Sequence, residues 1–142
     1  MDFKECVKFA NENKICYLAT IEGDQPRVRA MGMHYADDTG FYFNTESTKA
    51  LAKQLKKNQK VELCFLAKGT MLRITGKVDF IDDIATRTRF YKERDFLKSL
   101  GVKGPEDPLL MVFAIRQGEA FLWTMADNMK EASIPRIKFG KK

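Results

Sequence analysis

Cationic side chains recur at alternate positions of a predicted strand in the first third of the chain. Alternate residues of a strand share a face, so Arg27, Arg29 and Met31 are expected to project together. Two arginines on one strand face are costly to bury unless an anion meets them. An exposed edge with solvated arginines would explain the same pattern, and the arginines alone favour that simpler interpretation.

A second cluster, Ser47, Thr48 and Lys49, follows where the next strand is expected to end and a helix to begin. The free backbone N–H groups and the positive dipole end of such a helix attract anions. The two hydroxyls and the ammonium are suitable phosphate donors. An ordinary helix cap by Thr45 or Ser47 is the alternative. Because one hairpin connects the two clusters, together they predict a bound phosphate.

Hydrophobic periodicity predicts the elements that position these residues. Helices are expected at 2–13, 46–57 and about 83–100. Strands are expected at 15–21, 25–35, 40–44, 61–66, 71–81, 109–115 and 120–125, with a short one near Ile137. Turns at Glu22–Asp24 and at Gln117–Gly118 predict hairpins. The fold class is therefore mainly β: a six-stranded antiparallel barrel with peripheral helices, formed by a single domain over residues 1–142.

The strand 15–21 carries apolar residues on both faces, which predicts a second buried surface in addition to the barrel core. A homodimer interface would supply it. Large apolar residues expected to contribute are Tyr17, Phe65, Phe113, Phe121 and Trp123.

Composition narrows the class of protein. The net charge is +6 over 142 residues, but the lysines are scattered rather than arranged in a basic stripe, so a nucleic-acid partner is not expected. A membrane-spanning protein is not expected either, because no apolar run is long enough to span a membrane. The three cysteines, Cys6, Cys16 and Cys64, are odd in number and lie far apart in the sequence, which predicts reduced thiols in a cytoplasm. The single histidine, His34, has no partners at metal-ligand spacing and is expected to make an ordinary hydrogen bond in a strand.

The order and spacing of several short segments resemble the pyridoxamine 5′-phosphate oxidase-like, FMN-binding split-barrel family. These segments are Ala19-Thr20, Pro26–Met31, Phe41–Asn44, Ser47–Ala50, Val61–Phe65, Ile74–Val78 and Phe121–Trp123. The resemblance implies a split barrel that holds FMN at a dimer interface. The strand Arg27–Gly32 would line the isoalloxazine ring, and Tyr42 and Phe43 would lie beside the ribityl chain. Thr48 and Lys49, together with an arginine from the preceding hairpin, would bind the phosphate. The implied cofactor-binding residues are Arg27, Val28, Arg29, Ala30, Met31, Gly32, Tyr42, Phe43, Asn44, Ser47, Thr48, Lys49 and Trp123.

Trp123 has two interpretations. The resemblance implies that it contacts the flavin of the other subunit, whereas an aromatic residue at this place could equally belong to the core or to an interface.

The chain also departs from the family pattern. Met71 stands where the oxidases often carry a glutamine that contacts the flavin, and Gly32 replaces a lysine. The oxidases bind their substrate partly with an arginine and a histidine shortly after the tryptophan, and here no histidine follows Trp123. The expected function is therefore an FMN-dependent oxidoreductase of a small organic molecule, and not a true pyridoxamine phosphate oxidase. A flavin store or sensor, or a haem or deazaflavin binder, is the alternative, and no catalytic residue is nominated.

Overall fold

The computed structural model describes residues 2–140 and consists of one antiparallel sheet with four helices packed around it. The helices are α1 (Phe3–Glu12), α2 (Ala50–Lys57), α3 (Ile84–Glu93) and α4 (Phe96–Ser99). The strands are β1 (Ile15–Glu22), β2 (Gln25–Gly32), β3 (Tyr35–Asp37), β4 (Gly40–Glu46), β5 (Lys60–Ala67), β6 (Thr70–Ile81), β7 (Leu110–Trp123) and β8 (Ile137–Phe139). Single 3₁₀ turns lie at Met125–Asp127 and Glu131–Ser133.

The sheet has the strand order β2-β1-β5-β6-β7-β4-β3, with β8 paired to β7. The mainly β, split-barrel fold predicted from the sequence is confirmed, although the sheet has eight strands in the described chain rather than six. One extra strand arises because the predicted strand 25–35 bends at Met33-His34 and becomes β2 and β3. These two segments follow each other in sequence but lie at opposite ends of the strand order, so the bend carries the chain across the opening of the barrel.

The predicted hairpin at Gln117–Gly118 is wrong, because β7 runs without a turn from Leu110 to Trp123. Gly118 faces Gly76 on β6, next to a bulge in that strand. A β-carbon at Gly118 would lie 2.0 Å from the carbonyl oxygen of Thr75. The glycine therefore permits a close approach of two strands rather than a reversal of the chain.

Two predicted helices also differ from those observed. The helix expected at 46–57 begins only at Ala50, and the one expected at about 83–100 is divided into α3 and α4. Leu100, which follows α4, is 49% exposed. Asp83 caps α3, since its carboxylate accepts a hydrogen bond of 2.8 Å from the Thr86 amide.

Two apolar clusters stabilise the fold. The larger lies inside the barrel and includes the stacked rings of Phe43 and Phe113, with centroids 5.5 Å apart. The smaller lies between the sheet and α3 and α4, around Phe90 and Leu97. Phe65 and Phe113 are fully buried in the barrel core, so the expectation that they contribute to an interface is wrong.

Of the three cysteines, Cys6 and Cys16 are buried, and Cys64 is partly exposed. Among the described residues, no helix is long and apolar enough to cross a membrane.

Candidate functional site

The barrel opens between β2 and β4. The bend at His34 closes one end of this opening, where the His34 amide donates to the Tyr42 carbonyl at 2.9 Å. Beyond this bond the two strands diverge, because β2 pairs only with β1 and the second half of β4 pairs only with β7. We call the gap between the unpaired edges of β2 and β4 the split, and its closed end at His34 the apex.

Arg94, which ends α3, bridges the split beside its apex. Its Nη1 donates to Asn44 Oδ1 at 2.6 Å, and its Nη2 donates to the Gly32 carbonyl at 3.1 Å. Gly32 and Asn44 each lie two residues beyond the last backbone hydrogen bond, one on each strand. Burial lowers the pKa of the Arg94 guanidinium. Arg94 was not identified from the sequence. Nothing in the neighbouring sequence indicates its contacts with Asn44 and Gly32, which lie 50 and 62 positions earlier in the chain.

Arg29 lies on the inner face of β2, on the same side as Arg27, as predicted. Its Nη1 donates to Thr20 Oγ1 at 2.8 Å, and its Nη2 donates to Gln54 Oε1 at 2.6 Å. Gln54 is a buried residue of α2, so this bond joins the edge strand to the helix. Burial, and then the charge of Arg27, lower the pKa of Arg29.

Four of the eight arginines in the described chain are neutralised by an acid, and Arg87 and Arg136 donate to backbone carbonyls. Arg27 pairs with Glu22 at 3.0 Å, Arg73 with Glu62 and Glu131, Arg89 with Glu93, and Arg116 with Asp79. Within residues 2–140, no carboxylate lies within 4.0 Å of either Arg29 or Arg94, although both are partly buried. A cation in such a position is stabilised when an anion is brought to it. The split therefore presents two partly buried positive charges without counter-ions.

The turn Ser47–Lys49 lies between β4 and α2, at the open end of the split. Its amides are partly used: Ser47 donates to the Leu109 carbonyl at 2.9 Å and Lys49 to the Glu46 carbonyl at 3.0 Å. The Lys49 ammonium also lies 3.3 Å from the Glu46 carboxylate. An anion at this turn would therefore share Lys49 with Glu46.

The start of α2 differs from the starts of the other long helices. Asp2 and Asp83 cap α1 and α3, whereas Lys49, the residue before α2, makes no side-chain cap. The alternative interpretation of this segment, a helix cap by Thr45 or Ser47, is therefore wrong. Because the first amides of a helix have no partner within the helix, those of α2 remain available to an anion.

Several predicted residues do not direct their side chains into the split. Phe43 is buried in the barrel core, and Tyr42 stacks on Tyr35 with centroids 4.7 Å apart. A ligand in the split could contact only the backbone of these two residues. Val28 and Ala30 alternate with the inward positions of β2 and face outward.

Trp123 lies at the end of β7, opposite Met71 on β6, and not beside the split of its own chain. Met31 is on the inner face of β2 and is partly buried. The structure thus brings Arg29, Gly32, Asn44, Lys49 and the uncapped α2 around one opening. Arg27 lies on the same strand face but is paired with Glu22.

His34 makes the ordinary hydrogen bond expected of it, from Nε2 to Glu93 Oε1 at 2.8 Å. In the described part of the chain, no group of three or more His, Cys, Asp or Glu residues could hold a metal ion. The donors around the split suit a phosphate, because they combine guanidinium, ammonium, hydroxyl and backbone N–H groups.

A family model described as pyridoxamine 5′-phosphate oxidase matches residues 3–124. The chain therefore belongs to the pyridoxamine 5′-phosphate oxidase family, and the resemblance noted in the sequence is confirmed.

Solved structures agree with this assignment. The chain is similar to a NimC/NimA family protein from Clostridium acetobutylicum, with a TM-score of 0.78 and 28% identity over 96% of this chain and 92% of that chain. PhzG from Burkholderia lata 383, solved with tetrahydrophenazine-1-carboxylic acid, has a TM-score of 0.71 and 17% identity over 98% of this chain and 84% of that chain. A FAD-binding protein from Mesorhizobium loti has a TM-score of 0.63 and 17% identity over 82% of this chain and 89% of that chain. At 17% identity, the last two comparisons show the fold alone. No curated protein matches the sequence significantly.

Proposed function

We propose that this protein binds FMN in the split and is a flavin-dependent oxidoreductase acting on a small organic molecule. Family membership and a structural neighbour that is a FAD-binding protein support a flavin. The observation that carries the choice of a phosphorylated flavin is the pair of partly buried guanidiniums, Arg29 and Arg94, without acid partners.

The phosphate would be held at the open end of the split. Arg29 would bind it together with the hydroxyls of Ser47 and Thr48, the ammonium of Lys49 and the free amides of α2. Arg27 could join them only by leaving Glu22. FMN would supply electron or hydride transfer, and the residues of this chain would bind it, orient it and exclude water.

The free edge of β2 would run along the isoalloxazine ring. An edge strand presents unpaired N–H and C=O groups, and these match the alternating donors and acceptors of the polar end of a flavin. This arrangement uses the backbone of Arg27–Gly32 and makes no demand on the outward side chains of Val28 and Ala30.

We propose a second copy of the chain as partner, bound to the outer face. This face consists of the outward residues of β1, β2 and β5 and the adjoining parts of β6 and β7. Apolar residues of this face are cross-strand neighbours: Tyr17 lies opposite Ala30, and Ala19 lies opposite Val28. The large exposed members are Ile15, Tyr17, Ile21, Val28 and Leu66. Exposed apolar residues grouped around the Glu62–Arg73 ion pair of the same face would form the interface. It would cover Trp123, which is expected to contact the flavin of the other subunit.

The test compares FMN with riboflavin, which lacks the phosphate. Lys49→Ala and Arg29→Met should each weaken FMN binding by about 1–3 kcal/mol, the scale of a lost charged hydrogen bond, and should affect riboflavin much less. Lys57→Ala, at the far end of the same helix, is the matched control and should change neither affinity. Equal losses for both ligands would show that the phosphate lies elsewhere. A visible spectrum of the purified protein with a Soret band, rather than flavin bands, would overturn the flavin itself.

A further inference from the structure

The charge of Arg94 is fixed in place and is not neutralised. Its two hydrogen-bond acceptors, Asn44 Oδ1 and the Gly32 carbonyl, are both uncharged oxygens. Two bonds from different nitrogens of one planar group hold the guanidinium in a defined orientation. Because the group is partly buried, its charge acts on neighbouring groups more strongly than in water, by about fourfold at an effective dielectric constant of roughly 20.

The two uncompensated arginines lie at different places along the split. Arg29 is joined through Gln54 to α2, at the phosphate end, whereas Arg94 stands at the apex beside the end of β2. If the FMN phosphate occupies the α2 end of the split, the isoalloxazine ring lies along β2 toward Arg94. This placement of the ring rests on the proposed function.

The two redox states of a flavin differ in charge. The oxidised isoalloxazine ring is neutral, and uptake of two electrons and one proton from a reductant leaves it with one negative charge. A fixed cation near the ring therefore interacts more favourably with the reduced state. By linkage, tighter binding of the reduced state raises the reduction potential of the bound flavin.

We propose that Arg94 is the electrostatic partner of the reduced flavin: from the apex of the split, its guanidinium favours the anionic reduced ring over the neutral oxidised ring. The same hydrogen bonds to Asn44 and Gly32 that bridge β2 and β4 hold the charge in position. Arg94 thus sets the redox behaviour of the site, while Arg29 and Lys49 set its affinity for the phosphate.

The experiment measures the dissociation constants of oxidised and dithionite-reduced FMN under anaerobic conditions, and the midpoint potential against a reference dye. In Arg94→Met, the preference for reduced over oxidised FMN should fall by about tenfold or more, and the potential should become more negative. Arg94→Lys retains the charge but loses the two-nitrogen fork that fixes it, so its preference should lie between those of the wild type and Arg94→Met. Arg89→Met is the matched control, because it removes a cation of α3 that Glu93 already neutralises, and it should change neither quantity.

Asn44→Asp tests the same proposal with Arg94 still in place. It puts a carboxylate 2.6 Å from the guanidinium, in place of an amide whose Nδ2 donates to Glu46 at 3.4 Å. Because the new carboxylate pairs with Arg94, the redox preference should shift in the same direction as that of Arg94→Met. This variant also serves if Arg94→Met does not fold. The role of Arg94 would be overturned if both variants keep the wild-type preference for reduced FMN. The proposed function would still stand if the wild type binds FMN and Lys49→Ala weakens the binding of FMN more than that of riboflavin. Absence of FMN binding by the wild type would overturn the proposed function, and this inference with it.

Discussion

His34 and Glu93 join the bend between β2 and β3 to the end of α3 through a hydrogen bond of 2.8 Å. Burial lowers the pKa of His34, the nearby charge of Arg94 lowers it further, and the bond to Glu93 opposes both effects. The folded state therefore favours the neutral imidazole.

This shift predicts the pH dependence of stability. Because the folded pKa lies below the ordinary value near 6.5, the contribution of His34 is fully present above pH 6.5. It is lost as the pH falls through the folded pKa, since the unfolded chain then binds the proton more readily. Urea unfolding of the wild type and of His34→Gln between pH 8 and pH 5 measures it. The free-energy difference between the two should shrink below pH 6.5, and a difference that grows would contradict the assigned shift.

The close approach of β6 and β7 predicts a large effect of a small substitution. Gly118→Ala would place a methyl group 2.0 Å from the Thr75 carbonyl oxygen, so the strands must separate. Destabilisation of about 1–3 kcal/mol or more is expected in thermal or urea unfolding. Gly104→Ala is the control, because nothing lies within 4 Å of its added β-carbon. Equal stability of the two variants would mean that β7 is not continuous at this point.

Gly118 also shows what sequence reasoning could and could not reach. A glycine between two apolar runs indicates a turn, and only the register of β6 against β7 shows that it serves close packing instead. The same limit applies to the split. Arg27, Arg29 and Lys49 could be nominated because strand alternation and helix starts are local patterns. Arg94 could not, since its role depends on two strands that diverge far from it in sequence.

Dimerisation through the outer face predicts that a charge placed there produces monomers. Val28, 69% exposed on the edge strand, and Tyr17, 46% exposed beside it, are suitable positions. Sedimentation at micromolar concentration should give twice the chain mass of 16.3 kDa for the wild type and the single mass for Tyr17→Glu. Ile84→Glu, a comparable change at an exposed residue of α3, should leave the dimer intact. A wild-type protein that is monomeric and still binds flavin would contradict the prediction that the outer face is a dimer interface.

We expect little or no pyridoxamine phosphate oxidase activity. The chain lacks a histidine after Trp123, and Gly32 provides no ammonium. The arginine in that segment, Arg136, lies over the ring of Phe121 at 3.8 Å and donates to two backbone carbonyls. Loss of two or three charged contacts to an anionic substrate should lower catalytic efficiency on the order of a thousandfold or more. The assay is formation of pyridoxal phosphate by FMN-loaded protein, and turnover comparable to that of a dedicated oxidase would refute the expectation.

The buried thiols give the barrel an internal reporter of its own opening. Burial raises the pKa of Cys6 to about 11 and that of Cys16 to about 12, so almost no thiolate exists at neutral pH in the folded state. Since the thiolate is the nucleophile, alkylating reagents react with these two side chains only in molecules that have opened. The rate at which they are labelled in the native protein therefore measures how often the packing between α1, β1 and the barrel core is broken.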